Sequence, residues 1–294
     1  KTYHYGLRST STSNVVGYDS GMRSVDNSYS ASTYKLGLET DLGRDSLLYA
    51  QVASGYKAGG FSTTATPPKA YEPEKLTAFE VGSKNRLLGG RLQINGEAYF
   101  YRYDNYQVQY ADFAAPSPVP GDTATAVQQY VVNAGAGRNS GFEVETKFRP
   151  LADTELRAAA TYTKARYGDF STAALSYLNG SKVASTPEWT ATLGVQQTWG
   201  LGSGTLTAGG QTRFSAGYRV SIESGLPGGD YNAYQGRFHK TDLRLAYAPD
   251  SDRWSLSLWA RNLENKAQTT QVLPFGRVQV TDPRTVGLNL SYKL

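Results

Sequence analysis

Thr285-Val-Gly-Leu-Asn-Leu-Ser-Tyr-Lys-Leu294 ends the chain on a strict alternation, with Val286, Leu288, Leu290, Tyr292 and Leu294 on one parity and Gly287, Asn289, Ser291 and Lys293 on the other. A β-strand sends successive side chains to opposite faces, so this stretch predicts a strand with one apolar and one polar face. Such a strand is either half-buried in a soluble sheet or set between lipid and a wet interior. The rest of the chain decides between them.

The same period recurs. Tyr34, Leu36, Leu38 and Leu42 oppose Lys35, Gly37, Glu39 and Asp41; Phe79, Val81 and Leu87 oppose Glu80, Gly82, Lys84 and Arg86. Leu92, Ile94, Ala98 and Phe100 oppose Gln93, Asn95, Glu97 and Tyr99, and Phe142, Val144 and Phe148 oppose Glu143, Glu145 and Lys147. About a dozen such strands are predicted. Their connections alternate in length. Gly, Pro and Asp clusters at 43–45, 88–90, 149–153, 200–203 and 248–252 make short turns. Long polar connections occupy 8–29, 58–74, 110–127, 168–186, 218–237 and 265–284. Loops that are short at one end and long at the other are the pattern of outer-membrane barrels, and a β-sandwich has no reason to sort its loops so.

Composition narrows the function classes. The chain has 294 residues, 22 tyrosines, 31 glycines and no cysteine, so disulfides, thiolate metal sites and cysteine nucleophiles are excluded. A mean hydropathy of -0.48 and the lack of a long apolar run exclude a membrane helix, but barrels escape that test because only alternate residues face lipid. The net charge of +5 is carried by Lys and Arg scattered along the strands rather than clustered, which argues against nucleic acid and for a mildly basic surface near phosphate-bearing lipid. The chain begins at Lys1 with no apolar leader, as expected of a processed protein or a piece of a longer one.

Aromatic placement agrees with a membrane. With the last strand running toward the short turns, Phe148, Trp199, Tyr247, Trp254 and Tyr292 fall beside those turns, and Phe79, Phe100, Tyr162, Trp189 and Phe214 fall near the opposite rim. Two levels of rings are expected where amphipathic side chains meet two water interfaces.

Catalytic signatures are absent: no Walker loop, no G-x-S-x-G, no H-E-x-x-H, no Rossmann fingerprint. The two histidines, His4 and His239, make no metal spacing. His239 and Asp242 lie three apart, which sets them on opposite faces of a strand and makes them a poor base-and-orienter pair.

Several stretches together resemble the C-terminal barrel of TonB-dependent outer-membrane receptors. Tyr49-Ala-Gln-Val-Ala-Ser-Gly-Tyr-Lys-Ala-Gly-Gly-Phe61 is similar to that family's strand leading into a G-[YF]-K-[AP]-G-G-[FY] loop entry. Tyr71-Glu-Pro-Glu-Lys75, Phe79-Glu-Val-Gly-Ser-Lys84 and Gly90-Arg-Leu-Gln-Ile-Asn-Gly-Glu-Ala-Tyr-Phe-Tyr101 follow in the family's order. Asn133-Ala-Gly135 with Gly141-Phe-Glu-Val-Glu145, Arg261-Asn-Leu-Glu-Asn-Lys266 and Pro283-Arg-Thr-Val-Gly287 complete the run over roughly residues 30–294. Glu264 stands where the family has an aromatic, and Leu294 where it has a terminal Phe or Trp.

The resemblance implies an all-β, antiparallel transmembrane barrel of about 22 strands with a plugged lumen, of which this chain supplies about twelve. Residues 1–294 are then the C-terminal portion, with the plug domain and the first barrel strands outside the chain. It further implies TonB-dependent uptake of a scarce nutrient (a siderophore, cobalamin, sugar or aromatic compound) at a Gram-negative outer membrane. Partners would be the TonB complex through the plug, outer-membrane lipid and lipopolysaccharide, and a small-molecule ligand. No enzyme activity, cofactor, metal or nucleic acid is expected. Parity sends Tyr101, Tyr103, Arg213, Arg219, Lys240, Trp259 and Arg261 into the upper lumen as candidate ligand-binding residues, where rings stack and guanidinium groups pair with anions. The alternative is a self-contained twelve-stranded barrel, either an autotransporter-like translocator or a membrane hydrolase using His239.

Overall fold

The structure is a computed structural model that describes residues 3–6, 26–62, 69–116, 123, 125–170, 173–221, 234–273 and 277–293. Leu294 and the greater part of the 8–29 connection lie outside the described residues.

Eleven strands form one antiparallel sheet. They are β1 (Lys35–Asp41), β2 (Ser46–Lys57), β3 (Glu74–Leu87), β4 (Leu92–Asp104), β5 (Gly137–Leu151), β6 (Thr154–Arg166), β7 (Trp189–Gly200), β8 (Gly204–Ser215), β9 (Phe238–Pro249), β10 (Trp254–Arg261) and β11 (Thr285–Tyr292). Spatial order equals sequence order, so each strand pairs with its chain neighbours and no connection crosses. The expected dozen thus resolves into eleven wall strands plus small hairpins in the long connections. Among the described residues β1 and β11 each have one neighbour, and the sheet does not close on itself.

The turns are where glycine and aspartate allow them. Leu88, Gly89 and Gly90 all take positive φ, a backbone turn that a glycine pair makes cheap, and residues 88–91 join β3 to β4. Residues 42–45, 152–153, 201–203 and 250–253 make the other short turns. At the opposite end the connections are 58–73, 105–136, 167–188, 216–237 and 262–284, and all of them contain secondary structure of their own. The longest includes a hairpin, Tyr106–Pro116 with Thr125–Ala134, and the 167–188 connection a 3-10 helix, Ala173–Leu178.

The apolar face of the sheet is bare. Leu38 is 79% exposed, Val286 73% and Leu290 70%, and Val195, Leu193, Leu243 and Leu258 are exposed as well. A soluble sheet of this size would cover such a face, because leaving it in water forfeits most of the apolar burial that drives folding. The described residues contain one buried apolar cluster, and it lies among the long connections: Val108, Val132, Ala134, Tyr167, Phe170, Leu175 and Leu178. No described helix is long and apolar enough to cross a membrane, which leaves strand crossing open.

Aromatic rings gather at two levels of the sheet. Trp189 and Trp199 share one face of β7, ten positions apart, which is roughly 33 Å of strand and about 25 Å of height at the usual barrel tilt. That height matches the apolar band of an outer-membrane barrel. Around Trp189 cluster Tyr162, with ring centroids 4.9 Å away, and Phe142, at 5.7 Å; Phe79 and Phe100 meet at 6.5 Å. At the short-turn level Tyr247 and Trp254 lie 5.6 Å apart, and Trp254 is in register with Tyr292.

Val195 sits midway between the two tryptophans on the apolar face, beside Gly210 and Leu156. Replacing it with arginine is expected to destabilise the folded intact protein in lipid by about 2–4 kcal/mol, whereas Gln196→Arg, one residue on and facing the other way, changes it by less than about 1 kcal/mol. Urea unfolding midpoints in liposomes would separate the two; equal midpoints would contradict the assignment of faces.

Candidate functional site

The polar face between β6 and β11 holds a groove of about 820 Å³. Arg157, Gln211, Asp242, Arg244, Trp259 and Arg261 are among its lining side chains, all of the parity opposite to the bare apolar residues. Trp259 lies flat because its cross-strand neighbour is Gly287: a Cβ there would come within 2.3 Å of the indole Cζ2. The indole Nε1 donates to Asn289 Oδ1 at 3.4 Å, and the Arg261 guanidinium stands 5.1 Å from the ring centroid. This is a ring and a cation already stacked, with both groups open to the groove. Three arginines against Asp242 and the buried Glu155 leave the groove mildly cationic.

Two of the expected ligand residues, Trp259 and Arg261, line this groove. Arg213 and Lys240 are cross-strand neighbours nearer the long-loop end, and Lys240 donates to Thr281 Oγ1 at 2.6 Å, tying β9 to the 262–284 connection. Tyr101 and Tyr103 stand apart on β4. Tyr101 donates to Glu80 Oε1 at 2.8 Å and stacks on Tyr99 at 4.9 Å. Glu80 also accepts from Gln51, Tyr49 donates to Glu97, and Tyr99 meets Thr163 Oγ1 at 2.8 Å. These bonds form a brace across β2 to β6, whose members already have partners. Tyr103 packs edge-on against Tyr106 at 5.0 Å.

Arg219 corrects the parity argument. It belongs to a two-residue strand, Tyr218–Arg219, within the 216–237 connection, where the alternation of the wall does not apply. Its carbonyl accepts from the Ser185 amide at 2.6 Å, linking two long connections. Sequence reasoning passed over Arg157, Gln211 and Arg244. Their parity was legible, but their shared height on neighbouring strands was not.

The motifs quoted from the sequence meet at the bases of the long connections. Asn133 is the hub of one lock: its amide nitrogen donates to Glu72 O at 2.9 Å and Asn105 O at 2.8 Å, and its Oδ1 accepts from the Glu72 amide at 2.7 Å. Glu74 accepts from the Gln107 amide at 2.7 Å, and Gln107 donates onward to Ala58 O at 2.9 Å. Gly59 lies so close under Tyr71 O, 2.5 Å from a notional Cβ, that no side chain fits. Asn262, buried and at positive φ, holds the second lock by donating to Lys266 O and Asp282 O and accepting from Lys266 N. Arg284 N donates to Asn265 Oδ1 at 2.9 Å, joining the last two motifs. Glu264 accepts from the Thr241 amide at 2.7 Å and lies 3.6 Å from His239 Nε2. A wall anchor therefore replaces the expected aromatic, and His239 faces Glu264 and Phe214 instead of Asp242.

Electrostatics stiffen these connections. Burial in the loop cluster pushes the Tyr106 phenol up to about 12, and Tyr167 is raised for the same reason. Glu188 is held below the ordinary carboxylate range by its hydrogen bond from Lys182, against the opposing effect of burial. The Lys182 Nζ lies at 2.7 Å and Arg166 at 3.7 Å.

Residues 2–263 match the family described as TonB dependent receptor-like, β-barrel. Among solved structures, the ferric yersiniabactin uptake receptor FyuA from Yersinia pestis is similar, with 20% identity and a TM-score of 0.70 over 92% of this chain and 38% of that one. The ferric-catecholate import receptor Fiu from E. coli K12 gives 18% identity and 0.69, over 98% and 40%. The copper transporter OprC gives 16% and 0.66, over 92% and 40%. The chain spans 38–40% of the length of these structures, and at such identities the likeness is one of fold.

Asn133→Ala is expected to cost the loop base about 1–2 kcal/mol, read as roughly tenfold or more faster hydrogen exchange at the Glu72 amide with the wall strands unchanged. The Glu188 contact has a defined pH sense: its stabilisation is present above the ordinary carboxylate pKa and is lost as pH falls through the lower folded value. Protection factors in the 167–188 connection, with the intrinsic pH dependence of amide exchange divided out, should therefore fall on acidification from about pH 7 to about pH 3. In Glu188→Gln that response should be missing.

Proposed function

The chain belongs to the TonB dependent receptor-like β-barrel family, and we propose that the protein it serves imports a scarce nutrient across the outer membrane of a Gram-negative bacterium. The polar face contributes to a lumen, the bare apolar face meets lipid, and the long connections form the ligand-gathering surface on the outside of the cell. Among the described residues β1 and β11 each have one open edge, which calls for further strands, since an open edge in hydrocarbon leaves backbone groups without partners. A plug domain within the completed barrel would couple ligand capture to the TonB complex. No chemical step is needed for this work; the binding energy of the ligand and energy from the inner membrane suffice.

The observation that carries the ligand reading is the stacked Trp259–Arg261 pair in a groove with Arg157 and Arg244. Guanidinium groups in fixed positions beside an indole suit an anionic ligand with a flat or conjugated part, such as a carboxylate- or catecholate-bearing metal chelate. Neutral sugars would use the ring but leave Arg244 and Arg261 without a carboxylate among the described residues, Arg157 alone of the three being paired, with Glu155. The self-contained barrel has less support, because its closure would require β1 to pair with β11 and these strands are not neighbours. The hydrolase reading loses its dyad, since His239 and Asp242 occupy opposite faces.

The test is binding and energy-dependent uptake by the intact receptor. Trp259→Ala and Arg261→Ala are each expected to weaken binding of the transported ligand by about tenfold, with Tyr101→Phe nearly neutral because that ring braces the wall. Unchanged affinity in both groove variants would remove the groove as the site. Uptake that persists without TonB would remove the transport mechanism.

A further inference from the structure

Lys and Arg look scattered in the sequence, yet register gathers several of them. Arg102 on β4 is the cross-strand neighbour of Arg138 on β5, Arg138 is the neighbour of Arg166 on β6, and Arg166 bridges to Lys182 in the adjoining connection. Four cations therefore stand in one row, spanning three strand spacings or roughly 14 Å. Lys164 adds a fifth, one level nearer the sheet centre, in register with Ser140 and Phe100.

All these wall positions are on the apolar face. Arg102 follows Phe100 by two, and Lys164 and Arg166 follow Tyr162 by two and four, so the row lies just beyond the upper ring level. One step along the strand is about 7 Å per two residues, which places the cations at headgroup depth beside a hydrocarbon band ending at the rings. The two carboxylates at hand, Asp104 at 3.4 Å from Arg102 and Glu188 shared by Arg166 and Lys182, do not balance five cations. Arg138, at the centre of the row, is exposed and has no ion pair among the described residues. Like charges directly opposite in a sheet repel, so an in-register arginine triplet is costly unless an anion lies across it.

We propose that this row binds the phosphate groups of an outer-leaflet glycolipid. The position excludes a soluble ligand that reaches the lumen, because the row and the groove are on opposite faces of the wall. Acyl chains of such a lipid would run along Phe79, Phe100, Phe142 and the apolar residues below, while guanidinium forks take the phosphate oxygens. The reading rests on the membrane orientation given above, with the long connections at the cell surface. It adds a lipid site on the outer wall that is separate from ligand uptake.

The experiment uses the intact receptor in detergent with bisphosphorylated lipid A, dephosphorylated lipid A and inorganic phosphate as separate probes. The variant R102Q/R138Q/R166Q is expected to lose bound lipid A by at least tenfold, at about fivefold per charge removed. The matching lysine variant should retain most of the binding, and the wild type should bind dephosphorylated lipid A no better than the glutamine variant does. Heat-modifiable migration reports whether each variant is folded; should the triple variant fail it, Arg138→Gln alone, expected to lose about fivefold, decides. Unchanged lipid A binding in a folded variant would overturn the proposal, as would equal binding of the dephosphorylated lipid. Displacement of lipid A by inorganic phosphate in the millimolar range would mark a free-phosphate site and overturn it as well. Nutrient uptake measured on the same variants keeps the two readings distinct, since loss of lipid binding with intact uptake leaves the transport proposal standing.

Discussion

Each inner wall strand satisfies its backbone N–H and C=O groups through its two sequence neighbours, and the rest of the molecule follows from that pairing. In hydrocarbon an unpaired peptide group costs several kcal/mol, so a spanning sheet must be continuous, and the shortest route to continuity is a meander. The meander in turn forces turns at one end to be short and leaves length for loops at the other. Once the backbone is satisfied between strands, side chains on the two faces are free to suit two different solvents. That freedom explains the lack of a core in the wall and the presence of one among the long connections.

The motif residues of the sequence are used for a purpose that their chemistry alone does not reveal. Asn133, Asn262, Glu74 and Gly59 are residue types that also occur in binding sites, yet here they close the bases of connections where strands end and backbone groups would otherwise lack partners. Asparagine suits this task because one side chain both donates and accepts, and because it tolerates the positive φ seen at Asn262. The loops are thus held at their stems by these motifs. Glu264 shows that the lock tolerates a change of chemistry, with a carboxylate on Thr241 in place of a packed ring.

The tyrosines divide along similar lines. Tyr101 and Tyr49 are spent on carboxylates in the wall, Tyr106 and Tyr167 on loop packing, and Tyr162 and Tyr247 on the ring clusters toward the two ends of the sheet. A residue with an apolar body and a hydroxyl tip fits each of these places, which is why its abundance says little about where a ligand sits. The groove is distinguished instead by the ring that has an arginine stacked on it and a glycine beneath it, Trp259.

The alternation of Val286 to Tyr292, the turn residues at 88–91 and the ten-residue separation of Trp189 and Trp199 were enough to determine strands, faces, turn ends and the two levels at which rings gather. Each of those is local: period two, φ preference and rise per residue act within a strand or across one turn. Register is not local. It depends on where each connection lets the next strand begin, and only the tertiary structure decided that Arg102, Arg138 and Arg166 share one level, that Arg157 and Arg244 join Trp259, and that Arg219 leaves the wall altogether. Parity assigns a residue to a side, but a site also needs a height, and height is set by hydrogen bonds to strands far away in the chain.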